Sequence, residues 1–491
     1  MQNGTRLAAV DLGSNSFRLE IGQFDDGQIA RAEYYKEIVR QGNGLDADRN
    51  LTPEALQRGW DCLARFGERL AGFKKVQVRA VATQTLREAR NRDEFLAKGR
   101  QLLGFPIDVI PGREEARLIY QGVVHLLPQS NERRLVVDIG GRSTEVILGQ
   151  GYDAHVMESY RVGSVAWSMR YFPEGKFSSN AFQMAEIAAK AVLDEAVTLY
   201  PPEVWDVAYG SSGTVGAVAD ALTAAGWPKD EITPEGLDWL LDRLLKAGSV
   251  DKLRLEGVKD DRKAVIGGGL SIMRAIFDLL GIQRMVAAEG ALRQGVLYDL
   301  LDREFTQTDV RSKTVKRLTT KFEINAPQAQ RVSKVARKLF SQASGSQAVD
   351  RLLAKLDWAA QLHEIGSLIS HSDYHKHGAY IIANADAPGF ATPELQRLAT
   401  LVLGHRGKLR KLVADFEDEV FVRQLLCLRL AAILCHTRRD PAVSDLQLSQ
   451  KQRQFSLKCP AAWMNAYPQS VYLLREEEAA WQKMGWAFAI V

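Results

Sequence analysis

The sequence predicts a mixed α/β fold in which one unit is duplicated, followed by a mostly helical region. Three observations predict it. The first 300 residues alternate short apolar runs with helical patterns. A turn of the form Asp-aliphatic-Gly followed by hydroxyl residues occurs twice, 127 residues apart, at Asp11 and Asp138. After Asp302 strand alternation gives way to helical periodicity that runs to about residue 438. The spacing of the two turns points to duplicated α/β domains rather than to short repeats of about 20–50 residues. At 491 residues the chain has room for about three domains of roughly 100–200 residues. Its 46% hydrophobic content excludes disorder as the dominant state. No run of about 18 apolar residues is present, which argues against a membrane span. The first 13 residues reach Asp11 without a long apolar stretch, so no secretory signal is expected.

The elements follow in order. Residues 7–11 read as a buried strand and 17–22 as the next, joined by a glycine turn. Thr52-Pro53-Glu54 opens a helix to about residue 70, with Thr52 as N-cap and Pro53 at the first helical position. Residues 76–81 and 105–110 read as strands, and a helix starts near Arg113. Residues 135–138 and 145–148 read as two strands joined by a second glycine turn. Residues 181–200 read as one helix, and 205–209 as a strand ending in Gly-Ser-Ser-Gly. Beyond a polar boundary at 304–309, helices are expected within 332–339, 350–362, 393–403 and 420–434, with a polar break at 341–347. Residues 455–491 hold strand-like pieces with Trp463, Trp481 and Trp486.

Charge is unevenly spread. Residues 301–491 carry 27 Lys and Arg against 19 Asp and Glu, while the first 300 carry 37 against 41. The C-terminal part therefore holds the positive field, which suits either a polyanion or simply a solvated basic surface. The four cysteines, Cys62, Cys427, Cys435 and Cys459, form no CxxC pair. That spacing argues against a disulfide framework or a zinc knuckle and fits a reducing cytoplasm.

Three loops carry the chemistry. A glycine turn between strands can point backbone N–H groups inward as a nest for phosphate. Gly13, Ser14, Asn15 and Ser16 form the first, with Asp11 at the strand end. Gly140, Gly141, Ser143 and Thr144 form the second, with Asp138 before it and Glu145 on the outgoing strand. Gly210, Ser211, Ser212, Gly213 and Thr214 follow a third strand. Any one of these is ordinary turn chemistry. Together they would clamp a chain of phosphates with neutral donors, and the carboxylates beside them imply a divalent cation, since bare carboxylates repel phosphate. Glu114 and Glu115 fall in the first turn of the helix near Arg113, where acids also occur for dipole reasons alone. One of them facing the cleft could take a proton from water. Arg87 follows a strand and either reaches a phosphate or sits on the surface.

These residues carry a resemblance. The segments Ala8-Ala-Val-Asp-Leu-Gly-Ser-Asn-Ser-Phe17, Glu114-Glu-Ala-Arg-Leu-Ile119, Val137-Asp-Ile-Gly-Gly141 with Ser143-Thr-Glu145, Gly210-Ser-Ser-Gly-Thr214 and Glu289-Gly-Ala-Leu-Arg-Gln-Gly295 resemble the exopolyphosphatase / guanosine pentaphosphate phosphohydrolase (Ppx/GppA) family in its long-chain bacterial form. His363-Glu-Ile-Gly366 and Asn384-Ala-Asp-Ala-Pro-Gly-Phe390 resemble its helical C-terminal domain. The resemblance implies two actin-like (ribonuclease H-like) ATPase-superfamily domains, at 1–125 and 126–304, and an HD-like helical domain at 305–491 with a small terminal α/β portion. It implies Glu115 as general base; Asp138, Glu145 and Asp11 around Mg²⁺, with a monovalent cation such as K⁺ as a further cofactor. It also implies Gly13 to Ser16, Arg87, Gly140, Gly141, Ser143, Thr144 and Gly210 to Thr214 as phosphate contacts. Arg142 stands where the family has a third glycine, and Arg cannot take every conformation open to Gly. Glu364 stands where a metal-binding HD motif has Asp, so the nearby histidines are expected to be structural or anion-contacting.

The expected activity is processive, Mg²⁺-dependent release of terminal phosphate from inorganic polyphosphate. The alternative is 5′-phosphohydrolysis of guanosine pentaphosphate (pppGpp) by the same machinery, alone or as a second activity, with Arg40 and the region of Arg87 able to touch either substrate. A kinase-like ATPase would need an adenosine pocket above the third loop. A non-catalytic polyphosphate or alarmone sensor is the reading from a different class. The expected setting is a cytoplasmic homodimer, free or membrane-peripheral, with no nucleic-acid partner.

Overall fold

A computed structural model of the chain describes residues 2–303, 309–345 and 350–491. The polar boundary expected at 304–309 and the end of the break at 341–347 fall largely outside the described residues. The chain divides into two compact units, residues 1–308 and 309–491.

The first unit contains two sheets built on one plan. In the first, β1 (Thr5–Leu12), β2 (Phe17–Asp25) and β3 (Gln28–Glu37) form an antiparallel meander. β4 (Val78–Ala82) and β5 (Ile107–Val109) then add in parallel on the other side of β1, giving the order β3-β2-β1-β4-β5. The second sheet repeats this with β6 (Arg133–Ile139), β7 (Thr144–Gln150) and β8 (Asp153–Tyr160) as the meander. β9 (Val207–Ser211) and β11 (Met285–Ala287) are its parallel neighbours, and β10 (Glu231–Ile232) pairs antiparallel at the edge. β1 and β6 are the central strands and are buried along nearly their whole length. Their apolar runs Leu-Ala-Ala-Val and Leu-Val-Val read as continuous for that reason. β3 and β8 were not expected, because each is a half-exposed edge strand carrying charges on both faces.

The expected cap forms: Thr52 Oγ1 accepts from the Ala55 amide at 3.3 Å and the helix runs Pro53–Arg69. The helix expected at 181–200 is broken into Ser179–Leu193 and Ala196–Leu199. The strand expected from 76 begins at Val78, since Lys75–Gln77 turns as a 3₁₀ helix.

The helix Gly112–Val124 is fixed at both its sides and its start. It packs against the helix Leu292–Asp302 so closely that a Cβ on Gly295 would lie 1.7 Å from the Leu118 carbonyl oxygen. A Cβ on Gly122 would lie 1.9 Å from that of Ala291, so only glycine permits this crossing. Within the first of these helices Glu114 pairs with Arg117 (2.8 Å), and Asp299 of the second pairs across the contact with Arg117, with Arg79 on β4 and with Arg303 just past the end of its own helix. Arg79, Glu114, Arg117 and Asp299 are buried, and the Arg303 side chain is nearly so. The guanidiniums around Asp299 hold its carboxyl well below the usual carboxylate range against the opposing effect of burial. Removing one member would leave an unpaired buried charge, so the network holds this helix in a single position.

The second unit is mostly helical. Its longer helices are Val310–Lys321, Ala326–Ser344, Asp350–Leu362, Tyr374–Asn384, Thr392–Gly404 and Glu419–Leu434. It ends in a three-stranded sheet, β12 (Gln447–Lys451), β13 (Gln454–Lys458) and β14 (Ala487–Ile490), with the helix Pro468–Trp481 between the last two strands. Trp463, Trp481 and Trp486 are buried there. All four cysteines are free and buried. Among the described residues no helix is long and apolar enough to cross a membrane.

Candidate active site

The three glycine loops of the first unit meet around one cleft of about 740 Å³, open solvent included. The first loop closes the β1–β2 hairpin and the second closes the β6–β7 hairpin. The third joins β9 to the N-terminus of the helix Ser212–Ala224. The loops approach closely: a Cβ on Gly141 would lie 3.3 Å from Ser14 Cβ. In the first loop the carbonyl of Ser14 accepts from the Gly42 amide (2.7 Å) and that of Asn15 from the Arg40 amide (2.8 Å). In the second, the carbonyls of Gly140 and Gly141 accept from the amides of Ser164 and Val165, both at 2.9 Å. Ser212 is held at φ +99°, a conformation rare outside glycine, and its hydroxyl accepts from the Thr214 amide at 3.1 Å. That geometry aims the start of a helix at the cleft, a favourable end for an anion.

Gly13, Ser14, Asn15, Ser16, Gly140, Gly141, Ser143, Ser212, Gly213 and Thr214 line the cleft, as do Asp11, Glu115 and Asp138. The remaining expected residues do not line it. Thr144 is fully buried and its hydroxyl donates to the Val162 carbonyl at 2.6 Å. Ser211 is buried and donates to the Gly290 carbonyl at 2.9 Å. Gly210 serves packing, since a Cβ there would meet Met285 and Val215 at 2.6 Å. Glu145 is 1% exposed and accepts from Ser159 Oγ at 2.7 Å, behind the cleft wall. Arg87 was expected on a phosphate, but its guanidinium is taken up by Gln84, the Ile110 carbonyl and Glu115, the last at 2.7 Å. It is a neighbour of Glu115 rather than part of the cleft wall.

Of the two glutamates at the start of the helix Gly112–Val124, Glu114 is consumed by the buried Arg79–Arg117 network and Glu115 turns to the cleft. Burial pushes the carboxyls of Glu115, Asp11, Asp138 and Glu145 upward, Asp138 to about 6 and Glu145 well above the ordinary range. Arg87 partly offsets this for Glu115, Arg18 and Arg293 do so for Asp11, and the mutual repulsion of the acids adds to it at Glu115 and Glu145. A carboxylate raised in this way is a better proton acceptor near neutral pH. The surplus of buried negative charge also suits a cation. Among the described residues no three His, Cys, Asp or Glu side chains converge to enclose one. A hard cation fits here with one or two carboxylates, its other positions filled by phosphate oxygens and water, as Mg²⁺ prefers.

Three arginines that the sequence reading gave no role also line the cleft: Arg18 on β2, Arg262 in the short helix Asp260–Lys263, and Arg293. Arg18 Nε and Arg293 Nη1 are buried without a hydrogen-bond partner. Burial and the nearby Arg18 lower the pKa of Arg262, and its carboxylate neighbour Asp261 is 3.9 Å away and bound to Lys36. Donors left over beside like charges ask for an anion. Arg18 was findable: it pairs with Asp11 across the first hairpin as Glu145 pairs with Asp138 across the second. Arg262 carries no such signal. Arg142 does not take a positive φ, so the second loop accommodates its side chain without the conformation that favours glycine.

In the second unit His363 and His405 are buried with their rings edge to face at 5.4 Å. Each Nδ1 lies 2.6 Å from a carbonyl oxygen three residues earlier, and burial lowers both pKa values.

Comparisons with known proteins find relatives along nearly the whole chain. The family described as the Ppx/GppA phosphatase family matches residues 21–304, and its domain III matches residues 310–478. A guanosine-5′-triphosphate,3′-diphosphate pyrophosphatase of Pseudoalteromonas translucida is 37% identical over 489 residues, 98% of each chain. One of Vibrio cholerae serotype O1 is 37% identical over 488 residues, 98% of this chain and 97% of the relative. The crystal structure of the Aquifex aeolicus member of the Ppx/GppA protein family covers 62% of this chain and 99% of its own, with 25% identity and a TM-score of 0.52. The duplicated sheets are thus the actin-like arrangement, and with both matches spanning nearly all of the sequence the chain belongs to the Ppx/GppA phosphatase family.

Proposed function

We propose that the protein hydrolyses the terminal 5′ phosphoanhydride of pppGpp and releases orthophosphate. The observation that carries this reading is the pairing, in one cleft, of neutral glycine loops with the guanidiniums of Arg18, Arg262 and Arg293, of which Arg18 Nε and Arg293 Nη1 are buried without a hydrogen-bond partner. A nucleotide bearing a 5′-triphosphate and a 3′-diphosphate has two separated anionic groups for two such surfaces. The names of the full-length relatives support the same substrate. Polyphosphate, the first expectation from sequence, is the second reading. The basic surplus of residues 301–491 favours it.

In this reading Glu115 accepts the proton of the attacking water, and Arg87 holds its carboxylate in position. The loop amides and the start of the helix Ser212–Ala224 receive the charge that spreads over the transferring phosphoryl oxygens. Asp138, with Asp11 in the same cleft and Glu145 behind it, would hold Mg²⁺, which when bound neutralises phosphate oxygens. Phosphate release from pppGpp and from long-chain polyphosphate, side by side, tests the reading. Faster turnover of pppGpp that is lost in Glu115→Ala supports it. Faster turnover of polyphosphate reverses the order of the two readings. Full activity in Glu115→Ala removes the proposed base, and binding without turnover by the intact protein makes it a sensor.

A further inference from the structure

Arg142 lines the cleft, yet most of its guanidinium is spent elsewhere. Its Nη2 donates to Glu88 Oε2 at 2.9 Å and its Nη1 to the Gly42 carbonyl at 3.1 Å. Both partners belong to the half of the unit built on the first sheet, whereas Arg142 belongs to the β6–β7 hairpin of the second. From each partner a short path leads to the same residue. The Gly42 amide donates to the Ser14 carbonyl at 2.7 Å. Glu88 ends the helix Gln84–Glu88, whose Thr85 hydroxyl donates to Ser14 Oγ at 2.8 Å. The fit is tight: a Cβ on Gly42 would lie 3.1 Å from Arg142 Cδ and 3.2 Å from Ser14 Cβ. Gly163 makes room behind, where a Cβ would lie 2.4 Å from the Arg142 amide nitrogen. The Arg142–Glu88 pair is mostly shielded from water, with side chains 22% and 16% exposed, so it is screened less than a surface pair.

We infer that Arg142 is a positioning residue that fixes the spacing between the first and second phosphate loops, through Glu88 and Gly42 onto Ser14. It rests on the proposed hydrolysis only for its kinetic readout. Loosening the clasp lets the loops separate, so the ground-state grip on phosphate weakens and KM rises while the chemistry of Glu115 persists.

The test is a double-mutant cycle. The variants are Arg142→Gly, Glu88→Gln, the pair together and Arg142→Lys, each assayed for pppGpp hydrolysis and for amide hydrogen exchange at residues 40–44 without substrate. Each single variant is expected to raise KM about five- to tenfold with kcat within about twofold. The double variant is expected to be no worse than the worse single one. Arg142→Lys should recover part of the loss. The Gly42 amide should exchange faster in the single variants. A silent Glu88→Gln, with Arg142→Gly keeping its full effect in that background, would mean that Arg142 grips substrate directly and would overturn the inference. If the unaltered protein does not cleave pppGpp, the proposed function fails, and the clasp is then judged by exchange alone. Faster exchange at Gly42 in both single variants upholds it; unchanged exchange overturns it.

Discussion

The β1–β2 and β6–β7 hairpins have the same backbone plan and opposite electrostatics. In each, an Asp stands one residue before the end of the incoming strand and faces one residue across the ladder: Asp11 faces Arg18, and Asp138 faces Glu145. Arg18 Nη1 lies 3.8 Å from Asp11 Oδ2, and Arg293 lies 3.7 Å from the same oxygen, so the first hairpin is balanced and has donors to spare. The second sets two buried acids side by side, and no cationic side chain is bonded to either among the described hydrogen bonds and ion pairs. The first hairpin therefore keeps spare guanidinium donors, and the second keeps a surplus of buried negative charge. The lesson is that duplication supplied the geometry, and a single position across each ladder divided the labour.

The largest effect should come from removing the acid of the second hairpin. Asp138→Asn is expected to lower kcat about a hundredfold or more. Chelation of divalent cations with EDTA is expected to stop turnover of the unaltered protein, with recovery on adding Mg²⁺. Asp11→Asn should cost far less, and equal losses in the two Asn variants would break the contrast.

Reversing the charge of the first hairpin comes next. Arg18→Glu gives it the acidic pair of the second, and KM for pppGpp is expected to rise roughly 10- to 100-fold, more than in Arg18→Ala. An unchanged KM would remove the anion from that side.

A stability measurement sharpens the same contrast. The folded protein raises the Asp138 pKa from 3.8 to about 6. The folded state then binds more protons than the unfolded one between those values. Stability falls as pH rises through that window, and the penalty is complete above about pH 6. Asp138→Asn should therefore stabilise the cation-free protein by roughly 2–3 kcal/mol at pH 8 and hardly at all near pH 4. Thermal midpoints at the two pH values check this. A gain at pH 4 equal to that at pH 8 would contradict it.

The smallest effect is expected at Ser159, whose hydroxyl bonds to Glu145. Ser159→Ala should lower kcat about two- to fivefold without moving KM. A change confined to KM would assign Ser159 to binding instead.

Much of this was legible in the sequence because the signals are local. The strands β1 and β6 are apolar runs ended by Asp and closed by glycine turns, and both turns formed as read. The Thr52-Pro53 cap needed only its own neighbours. β3 and β8 were missed because an edge strand with charges on both faces leaves no period-two pattern. Thr144 and Ser211 read as phosphate donors by composition, yet the Val162 and Gly290 carbonyls take their hydroxyls. The partner carbonyls lie 18 and 79 residues away, beyond the reach of a motif.

By itself the sequence determined the duplicated hairpins, the order of the loops and the mostly helical second unit. Each of these depends on apolar periodicity and turn chemistry within about ten residues. Tertiary structure alone decided which glutamate of the Glu114-Glu115 pair meets the cleft, because Arg79 and Asp299 arrive from distant segments to bury the other. It also decided that Arg18, Arg262 and Arg293 line one cleft, and that Arg87 bonds to Glu115. Side-chain charges act through space, and a linear sequence does not state which of them will be neighbours.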